Sequence, residues 1–289
     1  MTLELPRSIE GGVPGRLGFY DRGYTPYFAS RLDPRFSYCL YVPEDHDANE
    51  KLDLVVLVHG TARWAEHYRS AFTGFCDKNR AIVLAPLFPA GVTGPGELSS
   101  YKLLRDGGIA YDQVLLDMVA EVVERYPLRD KRFLLHGFSG GGHFAHRFLY
   151  LHPESLLGVS IGAPGIVTLL DPEHDFWVGT RDFETRFGKM LDVAAIRRVA
   201  VHMVIGGEDK ETWEIRLTPS DSWWMAGAER LAEANRLERM AALRASLEAK
   251  GIAVRQDIVP GAGHNGMLML EAVRNWMADT LLACRKVSA

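Results

Sequence analysis

Seven short apolar runs recur along the chain, at 36–42, 54–58, 81–85, 133–136, 157–161, 199–205 and 254–259. Several are apolar without interruption, as strands must be when both faces of their sheet are covered. Between them the apolar positions shift to helical spacing. Tyr111, Val114, Leu115, Met118 and Val122 form one such set, Leu237, Met240, Leu243 and Leu247 a second, and Leu270, Val273, Met277 and Leu281 a third. Gly251 follows Lys250, where a left-handed residue closes a helix. Strand and helix patterns alternate. This predicts an α/β fold, a mostly parallel central sheet flanked by helices. Reactive groups in such sheets gather beyond the carboxyl ends of the strands.

Two stretches interrupt the alternation. Residues 88–110 are rich in Gly and Pro, and residues 165–198 carry Phe176, Trp177, Phe183 and Phe187. Long insertions in compact domains serve as binding loops or lids, and their aromatics also anchor them to the body. The expectation is a single domain over 1–289 with a lid or cap inserted at 165–198.

Composition narrows the partners more than the fold. At 47% hydrophobic and 24% charged, with a formal net charge of −4, the chain has the makeup of a soluble globular protein. Its Lys and Arg are dispersed, so no basic patch points to nucleic acid or an anionic membrane. No apolar run is long enough to span a bilayer. The N-terminus lacks the basic start and apolar run of a signal peptide. Cys39, Cys76 and Cys284 are odd in number and far apart, without metal or disulfide spacing. These features predict a cytoplasmic protein with reduced thiols.

The candidate chemistry starts at Gly137-Phe138-Ser139-Gly140-Gly141, a G-x-S-x-G pattern between a strand pattern and a helix pattern. A nucleophile on such a tight turn projects its oxygen from the sheet, and small residues must flank it. The following helix aims its first amides at the same point. An attacked carbonyl becomes an oxyanion and needs two backbone donors. Gly140 is one. The other comes from the turn after 54–58, where His59-Gly60 is followed by Thr61, with Ala62 as the near alternative. His59 itself reads as a structural residue of that turn.

Serine is a weak nucleophile near neutral pH and needs an adjacent base, which a carboxylate orients. The run 199–205 leads to Gly206-Gly207-Glu208-Asp209, and the run 254–259 leads to a Gly-rich turn and His264. Asp209 is preferred as the acid because a short side chain suits a tight turn, with Glu208 as its rival. Ser139, Asp209 and His264 thus stand in the chain order Ser, Asp, His. Phe138, Trp177 and Trp213 are the candidates for substrate contact, with Phe176, Trp223 and Trp224 nearby. His143, His146 and His152 lie on or near the helix after Ser139, but no third ligand is evident, so no metal is expected.

Taken together, LVVLVHG, GFSGGG, VIGGEDK and PGAGHNG in this order resemble the α/β-hydrolase superfamily. The resemblance runs from Phe36 to the last helix. GFSGGGHFAHRFLYLHPE is similar to the corresponding segment of polyhydroxybutyrate-depolymerase-like and of feruloyl- or acetylxylan-type esterases. It implies a serine hydrolase that cleaves a small carboxylic ester through an acyl-enzyme, without a cofactor. A thioesterase, peptidase, acyltransferase or lyase uses the same atoms, and a binding protein with a vestigial site keeps the same fold.

Overall fold

A computed structural model describes residues 18–288. The reading of the N-terminus rests on residues 1–23, of which 1–17 fall outside the described residues.

The strands are β1 (Gly23–Tyr24), β2 (Phe28–Ala29), β3 (Ser37–Val42), β4 (Asp53–Val58), β5 (Ala81–Leu87), β6 (Arg105–Asp106), β7 (Ile109–Ala110), β8 (Phe133–Phe138), β9 (Leu156–Gly162), β10 (Ala200–Gly206) and β11 (Val254–Val259). The helices are α1 (Ala65–Ala71), α2 (Thr73–Asn79), α3 (Tyr111–Arg125), α4 (Gly140–Leu151), α5 (Phe183–Phe187), α6 (Val193–Ile196), α7 (Arg236–Glu248) and α8 (Gly266–Ser288).

Among the described residues, nine strands form one sheet in the order β1-β3-β5-β4-β8-β9-β10-β11, with β2 also on β3. From β5 to β11 every pairing is parallel, while β1, β2 and β5 meet β3 antiparallel. β4, β8 and β9 are wholly buried; the runs of β4 (from Leu54) and β5 are uninterruptedly apolar, while β8 and β9 bury His136 and Ser160, which hydrogen-bond to each other. α4 packs on β4, β8 and β9, and all of its residues are buried. α8 packs on β8 to β11 and touches α1.

All seven predicted strands are present, six of them shifted at one or both ends by a residue or two and 254–259 unchanged, and Gly251 takes φ +73 beyond α7. β1, β2, β6 and β7 are two residues each, too short for any alternation to register in sequence. The interruption at 88–110 holds the β6–β7 hairpin and a 3-10 turn at Ser100–Leu103. The chain leaves β4 toward β5 on one side, then crosses back to β8 on the other. That reversal opens a crevice beyond the carboxyl ends of β4 and β8, where ligands bind in sheets of this kind. No helix among the described residues is long and apolar enough to cross a membrane.

Candidate active site

Ser139 occupies the one-residue step from β8 into α4, at φ 56° and ψ −115°. Positive φ is uncommon for a non-glycine residue and marks a strained backbone held by its surroundings. Two hydrogen bonds hold it. Its amide donates to Gly162 O at 2.8 Å, and its carbonyl accepts from the His143 amide at 3.1 Å. The step is tight enough that a methyl on Gly137 would collide with the Gly141 carbonyl. We expect Gly137→Ala to cost at least about 1–3 kcal/mol, because backbone cannot move aside as a flexible side chain can. The urea midpoint of unfolding measures this, and an unchanged midpoint would show that the elbow relaxes freely.

The turn after β4 lies against the start of α4. A methyl on Gly140 would strike Tyr101 Oη and come to 3.0 Å from Thr61 Oγ1, so Thr61 and Gly140 are neighbours. His59 is fully buried. Its Nδ1–H donates to Gly60 O at 2.8 Å while Nε2 accepts from the Phe88 amide at 3.0 Å. Burial pushes its pKa down to about 4, so it is neutral and braces the turn. Arg63, at φ 60°, donates to the carbonyls of Thr61 at 2.6 Å, Phe88 at 3.2 Å and Leu98 at 2.9 Å, and it stacks on the Tyr101 ring. One guanidinium thus ties the 61 turn to the 88–110 loop. No sequence motif marks this role, because all of its hydrogen-bond partners are backbone carbonyls.

The other two predicted groups meet beyond β10 and β11. His264 Nδ1 lies 2.7 Å from Asp209 Oδ2. Asp209 is fully buried, and its second oxygen takes a longer contact from Arg236 Nη1 at 3.4 Å. Arg236 opens α7 and also donates to Glu214 Oε2 at 2.7 Å. A buried carboxylate needs such partners, since desolvation of an unpaired charge is costly. Glu208 is exposed and pairs with Lys210 at 2.8 Å. The hydrogen bond to His264 therefore goes to Asp209. The His264 ring rests on the Phe138 ring, with centroids 4.8 Å apart.

Ser139, Gly140, Thr61, Ala62, Phe138 and His264 line one cavity of about 700 Å³, within the size range of small-molecule sites. Its far wall comes from 214–223, including Ile215 and Trp223. Of the segment at 165–198, Gly165 and Ile166 reach the cavity. Its start is pinned by α4: His143 Nε2 accepts from the Ile166 amide at 3.1 Å and His146 Nε2 from the Thr168 amide at 3.0 Å.

Two predicted substrate contacts are not at the wall. Trp177 is buried one layer behind it and donates from Nε1 to Trp223 O at 2.9 Å. Trp213 is 77% exposed, because the turn from Thr212 sends Ile215 inward and Trp213 outward. Sequence reading missed Lys102, His143 and Arg236 as wall residues, although it flagged the loop that carries Lys102.

No protein-family model matches the chain, and no curated protein does. Solved structures do. The poly(3-hydroxybutyrate) depolymerase LpqC from Bordetella parapertussis is 21% identical, with 84% of this chain and 85% of that one covered and a TM-score of 0.66. Poly(aspartic acid) hydrolase-1 from Sphingomonas sp. KT-1 is 19% identical, over 83% and 92% of the two chains, with a TM-score of 0.65. S-formylglutathione hydrolase FrmB from Staphylococcus aureus is 14% identical, over 91% and 100%, with a TM-score of 0.57. With its parallel sheet, its strand order and these neighbours, the chain has the α/β-hydrolase fold.

Proposed function

We propose that the protein is a serine esterase acting on small-molecule carboxylic esters through an acyl-enzyme. The observation that carries this reading is the 2.7 Å contact of His264 with buried Asp209, on the wall of the cavity that also exposes Ser139 on its strained turn. The contact places the ring hydrogen on Nδ1 and leaves Nε2 with a lone pair for the serine proton. Ser139 Oγ attacks the ester carbon as Nε2 takes that proton. Asp209 holds the ring in this tautomer and stabilises the imidazolium that forms. The tetrahedral oxyanion rests on the amides of Gly140 and Thr61, at the start of α4, where the helix dipole favours negative charge. The imidazolium then protonates the leaving alcohol. Water, deprotonated by His264, attacks the acyl-enzyme and frees the acid.

The neighbours' printed names, a depolymerase, hydrolases and a ferulic acid esterase among them, accord with ester or amide cleavage. The chain is taken as a single domain with a lid or cap insertion at 165–198, of which Gly165 and Ile166 reach the cavity. It works in the cytoplasm, where thiols such as buried Cys39 and Cys76 stay reduced.

Treatment with a fluorophosphonate should add one phosphonyl group at Ser139, read by peptide mass, and p-nitrophenyl esters of graded length should turn over steadily. Labelling without turnover of any ester would argue for another reaction on the same serine. Absence of labelling would remove the nucleophile from the proposal.

A further inference from the structure

Beyond the serine and its partners, the charged residues of the cavity wall are Lys102, Arg216 and Arg236, with the carboxylates Glu214 and Asp221, the latter engaged by the Thr218 amide and hydroxyl. Lys102 reaches it from the 3-10 turn at Ser100–Leu103. A methyl on Gly140 would meet its Cε at 3.0 Å, so the lysine stem lies against the first residue of α4. The ammonium donates to one neutral group, Ser99 Oγ, at 3.1 Å. The lysine ion pairs among the described residues belong to Lys189 and Lys210 instead. Glu97, on the same loop, gives its oxygens to the Ser99 and Ser100 amides and to Ser100 Oγ. Glu214, also on the wall, is held by Arg236 at 2.7 Å.

His143 lines this wall, and its Nε2 accepts from the Ile166 amide, which puts its hydrogen on Nδ1. That Nδ1 and Arg236 Nε are buried without a hydrogen-bond partner and, having no accessible surface, lie behind the wall rather than on it. Burial and the charges of Arg147, Lys102 and Arg236 hold His143 well below its ordinary pKa, so it is a neutral donor. Lys102, on the wall and in no ion pair among the described residues, with Glu97 and Glu214 acting on it only at longer range, is the cation placed to meet an anionic group of a substrate.

We infer that the preferred substrate is an ester bearing a carboxylate close to its scissile carbonyl, and that Lys102 pairs with this carboxylate. The choice of ester rests on the serine-esterase reading, while the anion subsite does not require it. Lys102 acts here as a specificity residue. It ranks esters by charge, and Ser139 and His264 make and break the bonds.

Two matched pairs of substrates test this. p-Nitrophenyl hydrogen succinate against its methyl ester places the charge on the acyl side. 3-Carboxyphenyl butyrate against its methyl ester places it on the leaving alcohol. The expected result is a preference for the acid of about tenfold in kcat/KM in one pair, as for a partly shielded charge pair. Lys102→Gln brings the ratio close to one, and Lys102→Arg keeps it. Burial first, then the charges of Arg63 and Arg147, push the Lys102 pKa down to about 8, with Glu97 and Glu214 opposing. The cation exists below that value, so the preference is full near neutral pH and fades as pH rises through about 8. Ready hydrolysis of all four esters with no charge preference overturns the subsite and leaves the esterase reading intact.

Binding is measured separately, so that a failure of turnover cannot hide the answer. Ser139→Ala protein is titrated calorimetrically with the same acids and methyl esters, benzyl replacing p-nitrophenyl. Tighter binding of one acid than of its methyl ester, lost when Lys102→Gln is added, upholds the subsite whatever the turnover. Equal binding within both pairs, or no binding of either acid, overturns it.

Discussion

Ser139→Ala is expected to lower kcat/KM for any ester substrate by about 10⁴–10⁶, the range seen when the nucleophile of a serine hydrolase is removed. The loss should be in kcat, because the hydroxyl forms its new bond only as the transition state is approached. Stability should change little, with a melting temperature within about 2 °C of the parent. The reason is local. What holds residue 139 at φ 56° is backbone: its amide on Gly162 O and its carbonyl on the His143 amide. Alanine keeps both bonds and tolerates the same φ about as poorly as serine, so the strain cancels in the comparison. Fluorophosphonate labelling should vanish with activity. Turnover within tenfold of the parent would mean that another group attacks the substrate, and the triad would have to be abandoned.

The elements that carry this site were legible because strand and turn constrain sequence tightly. β4 and β8 are wholly buried, so their runs are apolar save for His136, and both end in turns where side-chain volume is restricted. The collision that awaits a methyl at Gly137 is why GFSGGG could be recognised at all. Partners that the fold gathers from distant segments leave no such trace. Arg63 and Arg236 are ordinary arginines in sequence. Their roles come from carbonyls and carboxylates brought together from 61, 88 and 98 in one case and from 209 and 214 in the other. Aromatic residues were misleading for the opposite reason. Trp177 and Trp213 stood near the right segments, but sequence proximity does not say which way a turn faces, and one lies behind the wall while the other faces solvent. Short helices such as α1 and α2, broken at Phe72, were also missed, since seven residues give too few turns for a periodic signal.

Asp209→Asn is expected to reduce kcat by about 10⁴, the size of effect known for the equivalent change in a Ser-His-Asp enzyme of another fold. An asparagine that presents its amide group to His264 Nδ1 favours the tautomer with hydrogen on Nε2, and that tautomer cannot accept the serine proton. Glu208→Gln should change kcat by less than about twofold, because the exposed Glu208–Lys210 pair lies at the surface and is worth little. The adjacent pair of variants separates catalysis from folding. Arg236 keeps its 2.7 Å bond to Glu214 when Asp209 loses its charge, so the buried guanidinium is not left without a carboxylate. The Asp209→Asn protein should therefore fold, with a melting temperature lowered by a few degrees at most, while its activity falls by four orders of magnitude. A loss of activity that merely tracks unfolding would reduce Asp209 to a structural partner of Arg236. A larger loss in Glu208→Gln would mean that the acid reaching His264 during turnover is not the one that reaches it at rest.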